Sequence, residues 1–341
     1  MNGECSVCGA KCYHTPNNDD GDCTTAITCS VCGAVTTEGK TQHVARADDG
    51  DCTTAITCQF CDVVTTEARN EHTGGTPTCT HGKLCEVCGI AYGELDPNNH
   101  DLTIVDNNGV CRCGQSLTFV ITNSGVNENY DNLADALAAW TDNTTLTLFS
   151  DVLGLTEYIK TFAKGLILDL NGHKIECSHT LCTIWIEGDS SSELTIRDTK
   201  GGGYVQGTVY AVYSPSGMSK LCLESGTVEC VDANGDFTMT GGTIRNEKGD
   251  ALNTSSDLVK IVVSGGEIYS SKYAIYSYTS ANIVVTGTAK LIGVKGIIDD
   301  RGGSDFTVTG GIFSHDPSAY VDTEQYTVTE NNDGTWSVTA K

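Results

Sequence analysis

Basic residues, proline and long apolar runs are all scarce in this 341-residue chain. The 20 Lys and Arg stand against 44 Asp and Glu, and the resulting net charge of −24 disfavours binding to nucleic acid or to anionic membranes. No stretch reaches the roughly 20 apolar residues that a transmembrane helix needs. Met1 leads directly into NGECSVCG, with neither the basic start nor the apolar core of a secretory leader.

Proline is rare, with 5 residues, but glycine is abundant, with 38, and this balance suits tight turns between short strands. A strand-like motif of alternating apolar residues, usually followed by glycine, returns every 16 to 27 residues along the C-terminal two thirds. Clear copies begin at Leu221, Phe237, Ile261, Ile283 and Phe306, and fainter ones at Leu146, Ile167 and Leu194. A period of this length is typical of one coil of a solenoid.

A second series of short strands recurs between these motifs. Its members are predicted to stack as an interior column of Trp185, Val212, Leu252, Ile275 and Ile298. Because side chains alternate along a strand, their neighbours are predicted to form an outward column of Tyr213, Asn253, Tyr276 and Asp299. Such a column could bind sugar rings by stacking and hydrogen bonding, or it could simply stabilise the stacked strands.

The predicted fold class is all-β. Residues 116–341 are expected to form a right-handed parallel β-helix of about eight coils. An amphipathic helix at 131–140 would cap its first coil, and the segment from Thr327 would form a C-terminal hairpin with its turn at Asp333 and Gly334.

Residues 1–115 form a different region, which holds 14 of the 18 cysteines. Three units repeat a Cys-x5-Cys-x2-Cys spacing, and a His follows the last Cys by 11 or 12 residues. The predicted ligand sets are Cys23, Cys29, Cys32 and His43, then Cys52, Cys58, Cys61 and His72, then Cys79, Cys85, Cys88 and His100. A compressed fourth set consists of Cys5, Cys8, Cys12 and His14, whereas Cys111 and Cys113 are left without a role.

Three thiols and one imidazole per unit favour structural Zn²⁺ in small ribbon-like modules, and about four ions per chain are expected. Disulfides are the alternative, but three cysteines per unit leave one unpaired, and a disulfide does not explain a His at a fixed interval. Each unit has too few apolar side chains to form a core, so bound metal is expected to stabilise its fold. The region carries 6 Lys or Arg against 16 Asp or Glu, which argues against DNA binding.

The Asp-rich turns NNDDGD and ADDGD lack the ligand spacing of calcium loops and are interpreted as solvated turns. Asp299, Asp300 and Arg301 are the main catalytic candidates. They fall at a strand end, where charged residues are common, and His173 and His179 have no evident partner. No catalytic residue is therefore assigned.

Two resemblances carry further expectations. The run from His72 to His100 resembles a cassette found in large surface proteins of anaerobic gut bacteria. LILDLNGHKI at Leu166 and FTVTGGIFSHDPSAYV at Phe306 are similar to β-helix segments of the pectate-lyase-like superfamily. The resemblance implies a secreted or cell-surface protein that binds glycans, but the catalytic motifs of lyases and polygalacturonases are missing.

The expected function is that of a non-catalytic, adhesin-like surface protein. In this hypothesis a zinc-stabilised stalk presents a β-helix that binds a glycan or a host ligand. The alternatives are a polysaccharide lyase or glycoside hydrolase acting in a groove of the β-helix, and a purely structural surface spacer.

Overall fold

A computed structural model describes residues 2–4, 11–106, 108–187, 192–215, 218–257 and 259–341, with side chains from residue 13 onward. The chain divides into two compact units, Met1–Pro97 and Asn98–Lys341. Strands are numbered β1 to β35 in chain order. Within the described residues, no helix is both long enough and apolar enough to cross a bilayer.

Among its described residues, the first unit contains four short antiparallel strand pairs. The pairs are β1 (Asn2–Glu4) with β2 (Lys11–Tyr13), β3 (Ile27–Thr28) with β4 (Val35–Thr37), β5 (Ile56–Thr57) with β6 (Val64–Thr66), and β7 (Lys83–Leu84) with β8 (Ala91–Tyr92). Its most buried apolar residues are cysteines, namely Cys29, Cys58 and Cys85. Several larger apolar side chains, Val31 and Phe60 among them, are exposed. The thiols thus occupy the place that an apolar core would take.

The second unit is a parallel β-solenoid of about seven turns, which confirms the all-β prediction although eight coils were expected. Three sheets run along it. The first contains, in spatial order, β10 (Val126–Tyr130), β9 (Phe119–Asn123), β11 (Thr145–Leu148), β14 (Leu166–Asp169), β17 (Glu193–Arg197), β20 (Lys220–Leu223), β23 (Asp236–Met239), β26 (Lys260–Val263), β29 (Asn282–Val285) and β32 (Asp305–Val308).

The other two sheets complete each turn. The second contains β12 (Val152–Leu155), β15 (Lys174–Cys177), β18 (Tyr204–Val205), β21 (Thr227–Val228), β24 (Thr243–Asn246), β27 (Glu267–Ser270), β30 (Lys290–Gly293), β33 (Gly311–Phe313), β35 (Trp336–Ala340) and β34 (Tyr326–Glu330). The third contains β13 (Ile159–Thr161), β16 (Cys182–Ile186), β19 (Tyr210–Ser214), β22 (Val231–Ala233), β25 (Leu252–Thr254), β28 (Tyr273–Ser277) and β31 (Gly296–Asp300).

The core of the solenoid consists of apolar columns, because equivalent residues of successive turns pair in register. The column of the third sheet contains Ile159, Ile184, Val212, Val231, Leu252, Ile275 and Ile298. Trp185, predicted to lie in this column, pairs with Tyr213 and faces outward, while Ile184 takes the inner position. The prediction was wrong because TIWI is apolar on both faces, so alternation does not show which residue is buried.

Both ends of the solenoid carry extra elements. Helix α1 (Leu133–Ala139) is capped by Asn132, whose side chain accepts a hydrogen bond from the backbone N–H of Asp135, and it lies against β9 and β10. At the other end, β34 and β35 form an antiparallel hairpin that extends the second sheet through β33. Short 3-10 helices cover Leu102–Ile104 and Ser318–Tyr320.

One turn between strands requires glycine for two reasons. Gly266 has a φ of +78°, which side chains rarely adopt. A Cβ there would lie 2.5 Å from the carbonyl oxygen of Gly242 in the preceding turn. The close stacking of successive turns therefore excludes any side chain at this position.

Candidate metal centres and outward row

The first unit brings its thiols and imidazoles together in groups that join successive repeats. One group contains Cys23, His43, Cys58 and Cys61, and the next contains Cys52, His72, Cys85 and Cys88. In both, all ligand atoms lie within 4.8 Å of one another. The first and second repeats thus each give their first Cys and their His to one group, and the second and third repeats each give their Cys-x2-Cys pair to the group of the preceding repeat. This corrects the prediction that each repeat folds around its own four ligands.

The remaining predicted ligands fall into smaller sets. His14 lies with Cys29 and Cys32, with 3.3 Å between His14 Nδ1 and Cys32 Sγ. Cys79 is half-buried in the first unit and belongs to neither of the two complete groups there. The predicted ligands Cys5 and Cys8 lie outside the described residues, and so does the side chain of Cys12.

In the second unit, His100 lies with Cys111 and Cys113, the two cysteines left without a role by sequence reasoning. His100 Nδ1 is 3.6 Å from Cys113 Sγ. His100 is 1% exposed, and backbone and side-chain hydrogen bonds with Asn127 on β10 fix its main chain. The sequence did not reveal this pair as ligands because its Cys-x-Cys spacing differs from the Cys-x2-Cys spacing of the repeats.

The distances within the groups match tetrahedral coordination rather than disulfide bonding. Cys23 Sγ is 3.6 Å from Cys58 Sγ and 3.5 Å from His43 Nδ1. A tetrahedral ion with bonds of about 2.3 Å to sulfur and 2.0 Å to nitrogen would separate its ligands by about 3.5–3.8 Å. A disulfide requires about 2.05 Å between the sulfurs, and among the cysteine side chains that the structure describes no pair is at bonding distance. These groups are positioned to bind a metal ion.

Local backbone geometry prepares some of these thiols for ionisation. The backbone N–H of Cys88 and that of Thr73 lower the pKa of Cys85 to about 5. By contrast, burial raises the pKa of Cys52 to about 12, and the neighbouring Cys88 and Cys85 add to the rise. Three adjacent thiolates repel one another, and a bound cation would offset this repulsion. The arrangement of the sulfurs therefore favours metal binding.

The outward column predicted in the solenoid is present and is longer than expected. On the third sheet, the residues that pair in register on the outer face are Lys160, Trp185, Tyr213, Asp232, Asn253, Tyr276 and Asp299. This set is called the outward row below. All four predicted members, Tyr213, Asn253, Tyr276 and Asp299, are half-buried within it. The neighbouring catalytic candidate Asp300 accepts backbone hydrogen bonds from Gly302 and Ser304 and closes a turn.

Aromatic rings cluster at one end of the outward row. Tyr158 stacks on Trp185 with 5.2 Å between ring centroids, and Trp185 meets Tyr213 edge-on at 4.9 Å. Tyr210 stacks on Tyr213 at 5.7 Å. Further along, Tyr276 packs edge-on against Tyr278, which is 61% exposed. The row therefore offers rings held in fixed orientations by one another.

Asp232 is a buried carboxyl in the middle of the outward row, and sequence reasoning missed it. It is 8% exposed and accepts a hydrogen bond of 3.1 Å from the side-chain amide of Asn234. Burial raises its pKa to about 6, although hydrogen bonds from Asn234 and Tyr210 oppose the rise. The run ECVDANG gave no sign of it, because only the register shows that Asp232 lies between Tyr213 and Asn253.

Comparisons of the chain with protein-family models, with curated proteins and with solved structures give no match. The geometry of the ligand groups and of the outward row is therefore the basis for a functional proposal.

Two double variants test the sharing of ligands between repeats. Cys23→Ser/Cys58→Ser removes two ligands from one group, so we expect the chain to lose one ion. Cys52→Ser/Cys58→Ser removes one ligand from each of two groups, so we expect the loss of two. Native mass spectrometry would count the ions after treatment with a chelator that strips three-ligand sites but spares complete ones. Ligand sets confined to single repeats would give the reverse numbers.

A second prediction concerns the pH dependence of stability. Because the pKa of Asp232 rises on folding from 3.8 to about 6, its ionisation destabilises the folded state above pH 6, and the penalty disappears as the pH falls towards 4. The free energy of unfolding of Asp232→Asn should therefore exceed that of wild type by up to about 3 kcal/mol at pH 8. This gain should vanish near pH 4. Urea unfolding followed by tryptophan fluorescence would measure this.

This readout reports on the solenoid alone, because all three tryptophans, Trp140, Trp185 and Trp336, lie in the second unit. Thr238→Ala, an exposed change on β23, serves as the control, with the same effect expected at both pH values. A variant that is no more stable than wild type at pH 8, or whose gain persists at pH 4, would contradict the assignment.

Proposed function

We propose that this chain is a non-catalytic glycan-binding protein, in which a zinc-bound repeat region precedes a β-solenoid that binds carbohydrate along its outward row. The observation that carries the proposal is the register of Tyr213, Asp232, Asn253 and Tyr276 on four successive strands. Two tyrosines thus flank a carboxyl and an amide along about 14 Å, at about 4.8 Å per strand.

The chemistry of the row suits a sugar ligand. Tyrosine rings present apolar faces to the C–H face of a sugar ring, and their hydroxyls form hydrogen bonds. Asn253 offers both a donor and acceptors. Asp232 offers only acceptors when it is ionised, and it gains an O–H donor when it is protonated. Keeping a carboxyl that is costly to ionise in the centre of this face supports a ligand-binding role, because perturbed groups concentrate at functional sites.

The same geometry argues against hydrolysis by a carboxylate pair within the row. Asp299 is bound by Arg301, with 2.8 Å between Arg301 Nε and Asp299 Oδ1 and 2.9 Å between Nη2 and Oδ2. Asp232 lies three strands away, at about 14 Å by strand spacing. Glycosidases place their two carboxyl groups about 5–9.5 Å apart, so these two carboxyls are too distant to act together.

We assign zinc to the cysteine and histidine groups on the chemistry of the donor set. Three thiolates and one imidazole in tetrahedral arrangement are typical of structural Zn²⁺, whereas Ca²⁺ and Mg²⁺ require oxygen ligands. Four protein ligands leave no open coordination position, so the ion would stabilise the fold. We place the protein at the cell surface or in the secreted fraction, where bound metal would also shield thiols from oxidation. Antibody labelling of intact cells would test this location.

Binding to a glycan array tests the main proposal. The metal-loaded full chain should bind a subset of oligosaccharides, and Tyr213→Ala and Tyr276→Ala should each weaken binding at least ten-fold, because each removes a stacking surface. Tyr269→Ala is the matched control, since Tyr269 lies on the second sheet, where its ring contacts Arg245. Tryptophan fluorescence would confirm that each variant remains folded.

The same glycans, after incubation with the protein, would be analysed for new reducing ends or unsaturated products. If such products form and Asp299→Ala abolishes them, the protein is an enzyme and the proposal of non-catalytic binding is wrong. The absence of both binding and turnover would leave the outward row as a ladder that only stabilises stacked strands.

Metal content and its removal test the repeat region. Elemental analysis should find about four zinc ions per chain, one for each cysteine and histidine group. Chelation should make the repeats sensitive to protease, because they lack an apolar core, while the solenoid keeps its tryptophan fluorescence. Repeats that resist protease after metal removal, or thiols found paired by mass spectrometry, would contradict the assignment.

A further inference from the structure

Two aspartates of the duplicated sequence DCTTAITC lie beside the metal groups on the side of the imidazole away from the sulfurs. Asp22 Oδ1 is 3.4 Å from His43 Nε2, and Asp51 Oδ1 is 3.5 Å from His72 Nε2. The other ring nitrogen faces the thiols in both cases. His43 Nδ1 is 3.5 Å from Cys23 Sγ and 3.4 Å from Cys61 Sγ.

Both carboxylates are held in place by the turn that begins with them. Asp22 Oδ1 accepts hydrogen bonds from the backbone N–H of Thr24 at 2.8 Å and from its hydroxyl at 2.7 Å. Asp51 makes the same two bonds with Thr53, at the same distances. The carboxylate is therefore oriented by its own turn and does not depend on the imidazole for its position.

We infer that Asp22 and Asp51 are positioning residues of the metal centres, which fix His43 and His72 in the tautomer that ligates through Nδ1. A neutral imidazole carries one N–H, so a carboxylate that accepts from Nε2–H leaves the Nδ1 lone pair free for the ion. In the metal-bound site, a hydrogen bond from Nε2–H to this carboxylate would also orient the ring and increase its basicity as a ligand. These aspartates, interpreted from the sequence as parts of solvated turns, thus belong to the metal-binding apparatus.

The third repeat supplies a natural contrast. Thr78 occupies the position of Asp22 and Asp51, directly before the first Cys. Its hydroxyl lies 3.3 Å from the hydroxyl of Thr80, within its own turn. A carboxylate at this position is therefore confined to the two repeats whose Cys and His belong to the complete groups of the first unit.

Zinc affinity tests the inference. Asp22→Ala, which removes the acceptor, should lower the affinity for one zinc ion per chain by ten- to a hundred-fold in competition with a chromophoric chelator, because the loss of such a partner has an effect of this size. Asp22→Ala/Asp51→Ala should lower the affinity for two ions. The control is Asp20→Asn, an exposed change in the same turn, whose side-chain oxygen can still accept from the backbone N–H of Asp22. It should bind zinc as tightly as wild type.

A second readout separates positioning of the ring from general support of the turn. In zinc-loaded protein labelled with ¹⁵N, the Nε2–H of His43 should exchange with solvent slowly in wild type and at least ten-fold faster in Asp22→Ala. Thr24→Val removes the hydroxyl bond of the turn and keeps the carboxylate, so the exchange should remain slow. Equal zinc affinity in Asp22→Ala and wild type, or unchanged exchange, would overturn the inference.

The inference rests on the metal binding proposed above, but the two fail differently. A wild-type chain that binds no zinc would overturn the proposed metal centres. A wild-type chain that binds zinc as expected, with aspartate variants indistinguishable from it, would overturn only the positioning role.

Discussion

The register of parallel strands is the constraint on which the solenoid depends. Backbone hydrogen bonds between turns place equivalent residues above one another, so one buried position becomes a continuous column and one exposed position becomes a continuous row. The column from Ile159 to Ile298 holds the turns together, and the row beside it brings together Tyr213 and Tyr276, which are 63 residues apart in sequence. The core and the candidate binding face therefore have the same origin.

In the repeat region, neighbouring repeats are connected by shared cysteine and histidine groups and not by a continuous apolar column. Its repeats bury few apolar side chains, and each complete ligand group takes two ligands from one repeat and two from the next. A repeat such as the one from Cys52 to His72 thus contributes to two groups. An ion bound at either group would constrain this repeat, so metal binding at one group should favour binding at the other.

Much of this organisation could be predicted from the sequence, because it follows from local alternation. The strand period, the inner positions of Val212, Leu252 and Ile275, and the outward positions of Tyr213 and Tyr276 are all visible as apolar and polar alternation. Trp185 was placed wrongly where alternation is absent. Asp232 was missed because its neighbours in the row come from other turns. No local sequence pattern shows which residues of different turns pair with one another.

The prediction of which ligands belong to one group was wrong, and the reason is related. In an array of near-identical repeats, ligands shared within one repeat and ligands shared between neighbours have the same composition, Cys3His. The two arrangements differ only where the array ends, since sharing in one direction requires a final pair of cysteines outside any repeat. Cys111 and Cys113 are that pair in the sequence, and their grouping with His100 follows the order that His43 shows with Cys58 and Cys61. The two cysteines without a role were thus the sequence evidence that ligands are shared between neighbouring repeats.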